Sequence, residues 1–133
     1  MSIKIFFDEN LPKLLPEALQ LLSEVKDPSI EVKHLFHKFQ SGTRDVDWIT
    51  SLAKEGGWVV ITMDKNKGGE EWRIFKEAGL TTFKLVRSWK DLTHWERTKR
   101  IVSIWDQIVS RAKSSGKYYR IQNNGKIEEI QLL

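Results

Sequence analysis

Asp8, Asp45 and Asp64 are the residues of this chain best placed to do chemistry. Asp8 follows the apolar run Ile3-Lys4-Ile5-Phe6-Phe7, Asp45 follows Ser41-Gly42-Thr43-Arg44, and Asp64 follows Trp58-Val59-Val60-Ile61-Thr62-Met63. Carboxylates gathered at one place repel one another unless a cation lies between them, and the usual cation of an all-oxygen site is Mg²⁺ or Mn²⁺. Each acid also has a plainer reading: Asp8 and Asp64 as turn residues, Asp45 as a helix cap, and Asp47 as a first-turn partner of the helix dipole. Three such positions together favour the metal site. The loop Asp64-Lys65-Asn66-Lys67-Gly68-Gly69 adds two lysines, and two glycines that let backbone approach a phosphate.

The elements that must position these acids read as alternating strand and helix, the rhythm of a parallel sheet flanked by helices. A strand at Ile3 to Phe7 precedes a helix from Pro12 to Glu24, with Asn10 as its N-cap and Leu14, Leu15, Ala18, Leu19 and Leu22 at helical spacing. A short strand follows at Ile30 to Phe36, then a helix from Asp45 that Gly56-Gly57 stops. Trp58 to Thr62 reads as a central strand buried on both faces, ahead of a short helix from Glu70 to Ala78 and a strand at Thr82 to Val86. In an open parallel sheet, ligands bind outside the carboxyl ends of the strands, where this pattern puts Asp8 and Asp64, with Asp45 at the same edge.

From Asp91 the pattern becomes a long helix with Leu92, Trp95, Ile101, Val102, Ile104, Trp105, Ile108, Val109 and Ala112 on its apolar side. Asn123-Asn124-Gly125 between Lys117–Gln122 and Lys126–Gln131 predicts a closing β-hairpin. The 133 residues are expected to form one domain, with an α/β core over 1–90 and a helix and hairpin extension over 91–133. A domain of this size buries roughly 68% of its unfolded surface and needs no metal to fold, so any metal would serve function.

The chain has no cysteine, which excludes thiolate zinc, thiol catalysis and disulfides and fits a reducing compartment. It has no secretory leader pattern and no apolar run approaching the roughly 18 residues of a membrane span, so the cytoplasm is the expected location. Net charge is +4, with a basic excess at Arg97, Lys99, Arg100, Arg111, Lys113, Lys117 and Arg120, which suits a polyanionic partner. Six tryptophans are many for this length; they read mainly as core, with Trp95 and Trp105 on one helical stripe, although rings can also stack bases.

The segments Phe7-Asp8-Glu9-Asn10-Leu11-Pro12, Gly42-Thr43-Arg44-Asp45 and Val60-Ile61-Thr62-Met63-Asp64 resemble the PIN-domain superfamily of metal-dependent ribonucleases, and within it the subgroup with VapC-type toxins. The resemblance covers the first 90 residues or so. It implies an α/β/α sandwich whose acids bind one or two Mg²⁺ or Mn²⁺ ions and hydrolyse single-stranded RNA. By matching position, Asp8 is the first-strand acid, Asp45 the middle acid with Asp47 in reserve, and Asp64 the acid after the central strand. Related chains often carry a further acid where this one has Asn66, which bears on a second metal; Glu9, Glu70 or Glu71 would have to compensate. The chemistry agrees, because phosphodiester hydrolysis needs an activated water and neutralised phosphoryl charge, and carboxylate-held divalent ions supply both without a histidine base. Lys65, Asn66 and Lys67 are then candidate substrate contacts.

The partners this reading allows are a single-stranded RNA substrate, an antitoxin protein and a second copy in a homodimer, with no membrane. The alternative is a non-catalytic PIN-like module, degraded at Asn66, that binds RNA or a protein through its basic helix. His34 and His37 have an i, i+3 spacing, but the stretch reads as strand running into loop, which argues against a ligand pair. An aspartate after the first strand also suits a phosphoacceptor fold, yet Asp8-Glu9-Asn10 lacks Asp-x-Asp and Lys84 lies within a strand.

Overall fold

The computed structural model describes residues 3–63 and 70–131, with backbone alone at Glu70 and Glu71. Its strands are β1 (Lys4–Phe7), β2 (Glu31–His34), β3 (Trp58–Met63), β4 (Thr81–Leu85), β5 (Tyr118–Ile121) and β6 (Ile127–Ile130). Between them lie α1 (Leu14–Lys26), α2 (Leu35–Lys38), α3 (Asp45–Glu55), α4 (Glu70–Ala78), a 3₁₀ turn (Arg87–Asp91) and α5 (His94–Arg111). One six-stranded sheet runs in the order β2-β1-β3-β4-β5-β6, parallel except for the antiparallel β5–β6 hairpin. The hairpin therefore extends the four-stranded core, because β5 pairs parallel with β4.

Side-chain alternation divides the sheet into two buried faces. On one, Ile5, Phe7, Val59, Ile61, Phe83, Leu85, Tyr119 and Ile121 meet α1, the 3₁₀ turn and α5. On the other, Phe6, Val60 and Trp58 meet Leu35, Trp48, Ile49, Leu52 and Phe75 from α2, α3 and α4. The result is a three-layer α/β/α sandwich, with every residue of β3 and β4 buried. Ser23 ties two helices of the first layer, accepting from the Trp105 indole at 2.9 Å while donating to the Leu19 carbonyl at 2.6 Å.

Several expected details differ. Helix α1 begins at Leu14, and Asn10 does not cap it: Lys13 holds the cap position without a side-chain hydrogen bond. Strand β2 ends at His34, where the chain turns into the short α2 because His34 and His37 form a reciprocal cap. Trp95 is 68% exposed, not core, because it falls on one line of α5 with the exposed Val102, whereas Ile101, Ile104, Trp105 and Ile108 form the buried stripe. On α1, Leu15 and Leu19 are buried, but Leu14 and Leu22 are exposed with Leu21 and Val25. Helix α5 starts at His94, since Thr93 and Glu96 cap each other's backbone N–H at 2.9 and 3.1 Å. No described helix is long and apolar enough to cross a membrane.

Candidate active site

The sheet order places β1 beside both β2 and β3, so the chain reverses its winding direction at β1–β3. The crevice outside the carboxyl ends of these strands is where open α/β sheets take their ligands. Phe7 is in register with Ile61, which sets Asp8 opposite Thr62 at that edge. Asp8 is 1% exposed, a carboxylate that must be compensated by hydrogen bonds or charge. Its Oδ1 accepts from the Asn10 backbone N–H at 3.0 Å, and Oδ2 accepts from the Asn10 amide at 3.1 Å and from the Thr62 hydroxyl. Asn10, expected as a helix cap, is thus spent on fixing Asp8. The Asp8 N–H donates to the Ile61 carbonyl at 3.3 Å, continuing the strand ladder by one bond.

His34 holds the far side of the same loop. It is 1% exposed; its Nδ1 accepts from the Phe36 N–H at 3.1 Å, so Nε2 carries the proton and donates to the Leu11 carbonyl at 2.8 Å. Burial pushes the imidazole below its ordinary range, partly offset by the Leu11 bond. Both ring nitrogens are engaged, as a structural pin and not a metal ligand. His37 accepts from the His34 N–H through Nδ1 at 2.8 Å and meets Glu17 at 3.3 Å.

Asp45 is half-buried at the first residue of α3, and its Oδ1 accepts from the Trp48 indole at 3.1 Å. The Trp48 ring lies 5.1 Å from that of Phe6, two residues before Asp8 on the same strand face, so the first turn of α3 packs on the sheet face that carries Phe6. Asp47 is exposed and takes both Arg44 Nε, at 3.1 Å, and Nη2, at 3.4 Å. Asp64, Lys65, Asn66 and Lys67 lie outside the described residues, as do the Glu70 and Glu71 side chains.

A family model described as PIN like domain matches residues 3–87. The chain belongs to the PIN-like domain family. PIN-like domains are often nucleases, hydrolases that bind RNA and commonly use Mg²⁺ or Mn²⁺. No curated protein and no solved structure shows significant similarity to this PIN-like chain. Among its described residues, no three His, Cys, Asp or Glu side chains group closely enough to hold a metal. The donors gathered at the switch point are carboxylate and hydroxyl oxygens, a hard set that fits Mg²⁺ or Mn²⁺ and does not fit a thiophilic metal.

Two buried polar side chains of this PIN-like sheet escaped the motif reading, Thr62 as a donor to Asp8 and Lys84 beside it in the adjoining strand. Thr62 is in register with Lys84, and Lys84 is 3% exposed with its ammonium 4.4 Å over the Trp72 ring. The available signal was polar residues inside strands that are buried throughout, Thr62 in β3 and Lys84 in β4.

Proposed function

We propose that this PIN-like domain is a Mg²⁺- or Mn²⁺-dependent endoribonuclease that hydrolyses single-stranded RNA, as the toxin of a toxin–antitoxin pair of the VapC type. The observation that carries the reading is the buried Asp8 carboxylate, clamped by Thr62 and Asn10 at the topological switch point of a PIN-like sheet. Asp8, Asp45 and Asp64 would hold the ion. Asp45 is preferred to Asp47 for the middle role because Asp47 is engaged by Arg44 at an exposed position. When bound, the ion supplies charge neutralisation at the phosphoryl group and acidifies a water. Thr62 and Asn10 fix the orientation of Asp8, the His34–Leu11 bond holds the loop that carries it, and Lys65, Asn66 and Lys67 contact the substrate. The whole chain acts as one domain, and an antitoxin would occlude the acidic cleft.

The test is cleavage of a labelled single-stranded RNA by the purified chain with Mn²⁺ or with EDTA. Asp8→Asn should abolish metal-dependent cleavage while the far-UV spectrum is retained. Thr62→Val should lower it by about 10- to 100-fold, the usual cost of losing a group that orients a metal ligand, and Thr62→Ser should restore it. A folded, Mn²⁺-loaded wild type that cuts none of several RNAs would leave the non-catalytic binding module in its place.

A further inference from the structure

The polar row that begins at Asp8 and Thr62 continues across the sheet. Thr62 is in register with Lys84, Lys84 with Arg120, and Arg120 with Glu128. Residues in register point to the same face, and neighbouring strands lie roughly 4.8 Å apart, so Arg120 stands about 14 Å along the row from Asp8. Tyr118, two residues earlier on the same strand face, packs against the α3–α4 layer and meets the Trp72 ring edge-on at 6.3 Å. It is the one described hairpin residue that packs against that layer. The opposite face of β5 is sealed by Tyr119 and Ile121 in the other core.

Strand β5 thus has one face buried in the core with α5, and a second face that Tyr118 closes on the α4 side and Arg120 leaves open, and that open part carries a defined chemistry. Arg120 is exposed and makes no ion pair among the described residues, while Lys84 lies beneath the Trp72 indole beside it. The Glu128 carboxylate is turned to Gln122 at 3.4 Å and Lys126 at 3.9 Å. An exposed cation about 14 Å along the row from Asp8, bordered by the half-buried rings of Tyr118 and Trp72, matches a phosphate backbone with stackable bases. The separation of Arg120 from Asp8 is short against the roughly 4–16 nucleotides that such platforms cover.

We propose that the open face of the β5–β6 hairpin, through Arg120 and Tyr118, is the track on which single-stranded RNA lies as it reaches Asp8. The inference rests on the nuclease reading and places a substrate surface outside the segment that matches the PIN-like family, which ends at residue 87. Arg120 contacts phosphate, and Tyr118 offers a ring to a base.

Binding of a fluorescein-labelled oligouridylate, read by anisotropy in EDTA, tests the track apart from cleavage. Arg120→Glu should weaken binding by about tenfold or more and lower the salt slope by about one, whereas Lys113→Glu, the same charge change at the amino edge of the sheet, should change affinity less than about twofold. Arg120→Gln, with a smaller loss in the same direction, serves if the reversal unfolds the chain. Equal losses at Arg120 and Lys113, no loss at Arg120, or no measurable binding by the wild type would overturn the track. Binding that depends on Arg120 in a chain that never cleaves would remove the nuclease reading and keep the track. Mn²⁺-dependent cleavage with KM unchanged in Arg120→Glu would do the reverse.

Discussion

At the scale of single residues, the site is held by side chains that do not themselves look chemical. His34 gives the clearest case, because its neutral form accepts from Phe36 and donates to Leu11 at once. A second proton would meet the Phe36 N–H, and burial already holds its pKa below the ordinary imidazole range. The unfolded chain protonates His34 near pH 6.5, so below about 6.5 it binds more protons than the folded chain. This contribution to stability is therefore complete above about pH 6.5 and is lost as the pH falls through the lower folded value. The urea midpoint should drop between about pH 7.5 and about pH 5.5 in the wild type and much less in His34→Gln; equal slopes would sink the assignment. Asp27, Glu55 and Glu96 are held low by their own hydrogen bonds and titrate outside that interval. The sequence made Asp8 legible because an acid after an apolar strand announces itself. The roles of Thr62 and His34 depend on partners 54 and 23 positions away, which no local motif encodes.

At the scale of elements, strands were legible where burial on both faces made them uniformly apolar, as in β3, and helices where glycine or a turn stopped them. Helix starts were less so: Asn10 has the right chemistry for a cap, but the Asp8 carboxylate claims it first. Trp95 shows the same limit on α5, since an apolar side chain can lie just off the stripe that the sheet selects. The hairpin turn was read correctly, and its glycine does more than allow φ > 0. Gly125 has φ +92°, and a Cβ there would stand 3.2 Å from Ile104 Cγ2, so the turn is seated on α5. Gly125→Ala should cost about 1–2 kcal/mol from backbone strain plus the contact. Gly42→Ala, at φ +88° with nothing within 4 Å, should cost the strain alone, and comparing the two melting curves isolates the seat of the turn on α5. Equal shifts would show that Ile104 yields freely.

At the scale of the molecule, the family match stops before α5, yet the fold does not. Strand β5 covers the side of β4 away from β3, Tyr119 stacks on Phe83 at 4.7 Å, and the Trp89 indole donates to the Ile121 carbonyl at 2.9 Å. A chain ended before β5 would leave the outer edge of β4 unpaired and strip Tyr119 from Phe83. Such a truncation should lose its cooperative thermal transition, and a sharp native-like melt would refute this. The two cores also differ in a way that experiment can use. Trp89 and Trp105 are buried in the layer with α1 and α5, Trp48 and Trp58 in the layer with α3 and α4, and Trp95 faces solvent. Each side of the sheet thus carries its own intrinsic fluorophores, so chains keeping one indole at a time would report whether the two halves of the sandwich dissolve together or in sequence.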